Sequence, residues 1–530
     1  MNTAPITLTT SSVIKGIFPH PLLITALCLA TALPVLMTDL PPLVDFFGHL
    51  GHYRIQTGLA DSPLLQRHWD YQWGLVPNMG IDLLLEPLEP LLGLERAAWL
   101  ITLLIPPLMA FGFARTARAV QGELPVSWLF TLPLTLAYPF QLGFLNYWLG
   151  VAIAFHLFPT WLQAESHRPW RRAAFFVPAS LLAWLVHGYG WGILVVLSVG
   201  AALGGAWQRG DRGIATGWLW PSLRCWPMLA PLLPMALWGR GVTSESSGWF
   251  DFPSKVNGLL LILRDQWPLL DYISLAIIIV PLTAGLLMAF PLKAGRVSFA
   301  PALGTPALLL FALILLLPAQ LSVSALADAR LWPVTLATAL LAIRLSPDQH
   351  RLRGGMTVAG LVIFLTRITV ATAGFMALDR AIATHLQALE LITSGSRVAV
   401  LVKNPCRDHR LIHRLNHIDA MAIVRRDAFT NGQWSIKGSH RVLPLGGAGT
   451  SFDADPSQFI SGENCNPPLN PDEQMAALHR RIAQIPPDRF DYLWAINFDP
   501  RLIAPQPGLI SLYADDLTSL YRLDVTQTNP

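Results

Sequence analysis

Charge is what this chain is short of. Only 13% of its residues are Asp, Glu, Lys or Arg, about half the share found in a soluble domain. The four cysteines are scattered, Cys28 and Cys225 in or beside apolar runs and Cys406 and Cys465 near the end, with no Cys-x-x-Cys pair. That excludes the common zinc and thiol-redox frameworks. The C-terminal region carries no Gly-rich phosphate fingerprint and no nucleophile elbow. A net charge of +4 is small and gives no sign of a nucleic-acid partner. The chain is instead apolar, 53% hydrophobic with a mean hydropathy of +0.45. This is the composition of a polytopic α-helical membrane protein with one polar region.

The apolar runs predict about eleven transmembrane helices. They cover Ile17–Thr38, Ala97–Thr116, Ser127–Leu142, Tyr147–Leu162, Ala173–His187, Trp191–Trp207, Cys225–Trp238, Tyr272–Phe290, Ala302–Pro318, Leu331–Leu345 and Met356–Met376. The first is too long for a signal-peptide core and lacks a clear cleavage site, so it reads as a retained span. Ile81–Gly93 is too short and too acidic to cross and reads as interfacial. With the N-terminus and Lys15 in the cytoplasm, every even-numbered span ends at a short basic cluster, the last being Arg344, Arg351 and Arg353. This satisfies the positive-inside rule.

Residues 1–377 then form a transmembrane domain with outward loops 39–96 and 239–271. Val256–Leu263 of the second loop reads as an amphipathic interfacial helix. Residues 378–530 form an extracytoplasmic, periplasmic domain. In it Arg397–Val402, Asp419–Val424, Gln433–Val442, Tyr492–Asn497, Leu509–Tyr513 and Leu520–Leu523 read as strands and Met475–Ile485 as a helix, so a mixed α/β domain is expected. Gly446–Pro468 reads as loop. Cys406 and Cys465 are expected to form a disulfide there.

The most informative stretch runs from Asp39 to Asp82, directly after the first span. Asp45, His49 and His52 fall on one face of a helix. Three such ligands could hold a divalent metal, or the histidines could line a polar ligand site. The bland alternative makes Asp45 the N-cap of a helix over Phe46–Gly58. Trp69, Tyr71 and Trp73 offer stacking faces for a ligand ring, or membrane-interface anchors. Arg367 stands alone near the middle of a span, where a charge needs a partner or a cavity; His156 is one candidate partner.

A first span followed at once by an outward acidic loop, then many spans, then an outward mixed domain, resembles the GT-C superfamily of membrane glycosyltransferases, which take sugars from polyprenyl-phosphate carriers. The residues that carry this resemblance are Asp39 and Asp45, Pro77-Asn78 before the next apolar piece, and the late outward Arg330. Gly143-Phe-Leu-Asn-Tyr-Trp-Leu-Gly150 and His187-Gly188 look like features of uncharacterised bacterial proteins built on this plan. The adjacent carboxylates of some members are replaced here by separated aspartates.

The resemblance implies that Asp39 is the base taking the acceptor's proton and that Asp45 binds the acceptor or a metal. His49, His52, Arg54, Asn78, Lys255 and Arg330 would bind substrate, the cations meeting the donor phosphate. Membrane lipid, a polyprenyl-phosphate-linked sugar and a glycan, lipid or protein acceptor are the implied partners. The competing readings are a lipid-linked-glycan transporter or flippase, and a non-catalytic envelope assembly protein. Spans almost free of charge argue against passage of a polar substrate.

Overall fold

The structure, a computed structural model, describes residues 20–164, 167–238, 245–289, 297–322, 324–404, 412–435, 441–445, 458–460, 470–503 and 508–524. Cys406, Cys465 and most of the expected loop Gly446–Pro468 lie outside them. The chain divides into two compact units. One comprises residues 1–37, 76–81 and 101–373, and the other residues 38–75, 82–100 and 374–530.

The first unit is helical. Among the described residues four helices are long and apolar enough to cross a membrane: Leu94–Gln121, Gly188–Gln208, Pro268–Met288 and His350–Leu391. Shorter apolar helices cover Pro21–Ala30, Pro301–Leu316 and Leu331–Ala342. Proline sets many of the starts, opening the helices at Pro21, Pro169, Pro268 and Pro301, where its missing N–H costs nothing.

Proline also breaks three of the expected spans. Ile17–Thr38 is interrupted between Pro21–Ala30 and Leu33–Leu36. Ser127–Leu142 is a buried 3₁₀ helix over Val126–Leu136 and a short α-helix over Tyr138–Gln141, with Pro133 and Pro139 inside. Cys225–Trp238 splits into Trp226–Leu229 and Leu232–Trp238. A ring without an N–H cannot serve the i→i−4 ladder. Close packing in this unit relies on missing side chains: a Cβ on Gly190 would stand 2.6 Å from the backbone of Gly150.

The second unit is built on a mixed six-stranded sheet. Arg397–Asn404 is central, parallel to Phe429–Thr430, Gln458–Ile460 and Tyr492–Ile496. The sheet continues antiparallel through Thr518–Leu523 to Leu509–Ala514. Val398 to Val402 are buried without exception, as a strand covered on both faces requires. Ile55, Leu65 and Trp69 from the stretch after the first apolar segment share one core with Leu401, Phe429 and Leu493. Trp69–Tyr71 pairs antiparallel with Val442–Pro444. The strand expected at Asp419–Val424 is instead a helix, Ala420–Arg426. Its first four residues, Ala420 to Ile423, are all buried, and the left-handed Asp427 closes it.

Candidate functional site

The helix Phe46–Gly58 organises the polar residues of the second unit. Its glycines make a close approach possible. A Cβ on Gly48 would meet the Trp434 ring at 2.3 Å, and one on Gly51 would meet the Gln433 side chain at 2.4 Å. Gln433 donates to the Gly48 carbonyl at 3.2 Å. His49 packs edge-on against Trp434, with centroids 5.4 Å apart, and Trp434 in turn packs on His417 at 4.3 Å. His417 Nε2 lies 3.7 Å from the Asp45 carboxylate. Asp45 does occupy the N-cap position, but its side chain makes no capping bond.

His52 points elsewhere. Its Nε2 meets the buried Asp82 carboxylate at 3.1 Å. Gln56 donates to the Asp82 carbonyl at 3.1 Å and to the Glu86 carboxylate at 2.7 Å. The helical spacing therefore does not make a metal triad of Asp45, His49 and His52. Among the described residues no three His, Cys, Asp or Glu side chains are grouped to hold a metal ion. Asp39 is exposed, and the Asp379 carboxylate accepts from the amides of Asp39 and Leu40 at 3.1 and 3.0 Å. The buried Arg414 donates to the Pro42 carbonyl and lies over Phe375. The loop carrying Asp39 and Asp45 is thus held at its backbone.

Burial tunes the charges of this cluster. It pushes His49 down to about 4, with His52 adding a smaller push. Burial likewise lowers His417 to about 3, helped by His49. Both imidazoles are therefore neutral at pH 7. Asp419 is fully buried, and burial raises it to about 6, although Thr430 donates to it at 2.8 Å. The Tyr53 hydroxyl is raised by burial and by Asp82.

Two expected contributors serve the fold of this unit. Arg54 makes a forked pair with Asp427 at 2.9 and 3.1 Å. Trp69 is 2% exposed and stacks on Phe429; only Tyr71 and Trp73 of the three aromatics remain near the surface.

In the first unit, Asn78 accepts from Asn146 at 3.2 Å, and the Asn146 side-chain oxygen accepts from the Ile81 amide at 2.7 Å. Asn146 belongs to the Gly143–Gly150 stretch, so that motif fixes the turn at Pro77-Asn78. Arg330 is 8% exposed, its guanidinium 4.0 Å above the Phe144 ring and within 6 Å of Tyr147 and Tyr189. Tyr147 donates to its carbonyl at 2.7 Å. His187 caps the helix Gly188–Gln208 by accepting from Tyr189 at 3.1 Å. Lys255 is buried and committed to Asp328 at 2.9 Å and the Leu317 carbonyl at 2.7 Å. Arg367 pairs with Asp271, not with His156, and donates to the Leu263 carbonyl at 2.7 Å.

Sequence reading alone did not single out Asp379, His417, Trp434 or Asp419. Asp82 marked only the end of the stretch, although a lone acid opening an apolar helix was the available signal. The others are brought in from more than 300 residues away, and nothing in the spacing of the loop announces them.

No family model matches the chain, and no curated protein sequence matches it. Its three-dimensional likeness is to ArnT from Cupriavidus metallidurans. The structure of ArnT bound to undecaprenyl phosphate is 14% identical, over 96% of this chain and 99% of that one, with a TM-score of 0.50. The apo structure is 15% identical, over 96% and 98%, with a TM-score of 0.51. ArnT is a GT-C glycosyltransferase. At this identity the likeness speaks for the fold alone: the chain shares the fold of ArnT over nearly its whole length.

Proposed function

We propose that this protein is an integral membrane glycosyltransferase that transfers a sugar from a polyprenyl-phosphate donor to an envelope acceptor. The observation that carries the reading is a fold shared over nearly the whole chain with a protein whose structure holds undecaprenyl phosphate. Transfer takes place at the outer face of the bacterial inner membrane, with about eleven spans, a cytoplasmic N-terminus and residues 378–530 in the periplasm. The inward basic clusters support that sidedness.

In the proposed reaction the acceptor hydroxyl attacks the anomeric carbon of the donor sugar. The carbon–oxygen bond to phosphate breaks, polyprenyl phosphate leaves, and the acceptor proton passes to a carboxylate. Asp39 is the proposed base; its exposure and the Asp379 clamp on its backbone support this. Asp45, beside a neutral His417, is proposed to orient the acceptor. Arg330 is the proposed phosphate cation, its charge held between aromatic faces. His49 and His52 are proposed to shape the sugar site, and Asn78 is proposed to bind substrate. Lys255 and Arg54 are better explained by their carboxylate partners. The test is sugar transfer in detergent from a polyprenyl-phosphate donor by wild-type protein and by Asp39→Asn and Asp45→Asn. Transfer lost in either variant supports the reading; no transfer from any polyprenyl-phosphate sugar by the wild type counts against it.

A further inference from the structure

A cavity of about 370 Å³ opens beside the short strand Ile343–Leu345 in the first unit. Its walls come from Phe130, from the helix segment Ile277–Met288 and from Gly355, Met356 and Ala359. Every lining residue is apolar or glycine except Arg351. A smaller recess of about 170 Å³ shares Ile343 and Leu345 with it and is polar. There the charges are answered within the protein: Arg353 donates to Glu123 at 3.0 Å and Arg344 to the Val120 carbonyl at 3.2 Å. Arg351 is exposed and takes no hydrogen bond or ion pair from the described residues.

An apolar cavity offers water too few partners to stay wet. Two of its walls, Pro268–Met288 and His350–Leu391, are helices apolar enough to cross a bilayer, so hydrocarbon is the surrounding solvent. The volume lies within the range of small-molecule sites, which combine apolar walls with a few placed polar groups. A guanidinium fork matches the geometry of a phosphate, the anion that every phospholipid carries at the membrane surface. We propose that this cavity binds an acyl chain of an anionic membrane phospholipid, whose phosphate rests on Arg351. Arg351 belongs to the basic cluster assigned to the cytoplasmic side, so the lipid comes from that leaflet. A carrier phosphate consumed at the outer face would present its charge on the other side. The proposal rests on the membrane reading of this unit and not on any transfer activity.

The test uses the full-length protein, delipidated in mild detergent and examined by native mass spectrometry and thermal unfolding with added phosphatidylglycerol or phosphatidylcholine. A Cβ at Gly355 meets nothing within 4 Å, so Gly355→Phe should fill the cavity without moving its walls. Arg351→Gln changes an exposed charge and leaves the cavity open. The wild type should retain one phosphatidylglycerol at least about tenfold more tightly than phosphatidylcholine, with a raised unfolding midpoint. Gly355→Phe should retain neither, and Arg351→Gln should bind both alike. Equal phosphatidylglycerol retention by the wild type and Gly355→Phe would overturn the proposal. So would equal stabilisation of the wild type by inorganic phosphate alone, tighter retention of a polyprenyl phosphate than of phosphatidylglycerol, or a wild-type dimer that Gly355→Phe dissociates.

Discussion

Asp379 holds the backbone of Asp39 and Leu40 with both of its carboxylate oxygens, at 3.1 and 3.0 Å. A carboxylate bound to two successive amides fixes the chain direction there and leaves the Asp39 side chain in solvent. Hydrogen bonds to a charged group are worth about 1.5–3 kcal/mol each. One of the two bonds is exposed and the other only part-buried, so solvent screens both. Asp379→Ala should therefore lower stability by less than their sum, about 2 kcal/mol, and reduce transfer more than it raises the KM for the acceptor. Asp379→Asn, which keeps one acceptor oxygen, should fall between. Unfolding midpoints and steady-state kinetics check this; unaltered transfer in Asp379→Ala would show that the Asp39 backbone needs no such clamp.

The half-buried His49 and His417 and the buried Asp419 predict a pH profile. His49 and His417 have folded values near 4 and 3, below the ordinary histidine value of 6.5. They take up protons on unfolding, so stability is lost as pH falls below about 6.5. Asp419 acts the other way. Its folded value near 6 lies above the ordinary aspartate value of 3.8, so unfolding releases its proton between those values. From pH 6 down to about 4, two protons are taken up on unfolding against one released. Stability should fall by about 1.4 kcal/mol per pH unit. Asp419→Asn removes the opposing group and should roughly double the slope. Denaturant unfolding between pH 4.5 and 6 measures it; a slope unchanged by Asp419→Asn would contradict the assignment.

Lys255 and Asp328 form a buried pair, 2% and 3% exposed at their side chains. Removing one partner strands the other charge at a cost of about 3–5 kcal/mol, whereas replacing both by apolar residues is often neutral. Lys255→Met should destabilise strongly, and Lys255→Met/Asp328→Leu should recover the unfolding midpoint and with it transfer. A double variant that is stable yet inactive would return Lys255 to the substrate-binding residues.

The proposed topology predicts opposite compartments for reporters fused after Arg118 and after Thr393. Activity of the same reporter at both positions would sink it.

Much of this was legible in the sequence because it depends on local pattern. The unbroken apolar run Arg397–Val402 is a central strand, Met475–Ile485 lies largely within the helix Pro471–Ala483, and Phe46–Gly58 is helical over that range. Where prolines sit inside apolar runs, hydropathy overstated the continuous helix, as at Ser127–Leu142. Ala420–Arg426 was mistaken for a strand because a short apolar run has no decisive period. The order of segments carried a GT-C resemblance, and the fold shared with ArnT agrees with it. The site was visible only in part. Asp39 and Asp45 follow the first apolar run in plain view, but their neighbours Asp379 and His417 arrive through tertiary folding. Sequence separation conceals such partners.

The central claim is that Asp39 or Asp45 carries the proton chemistry of sugar transfer. Asparagine matches aspartate in shape but cannot take a proton at neutral pH. Transfer from a polyprenyl-phosphate sugar in detergent, measured for Asp39→Asn, Asp45→Asn and the double variant at equal unfolding midpoints, tests it most directly. Asp39→Asn should lose about 10²–10⁴-fold in rate, Asp45→Asn less, and the double variant should be inactive. Full transfer by Asp39→Asn/Asp45→Asn would contradict the account.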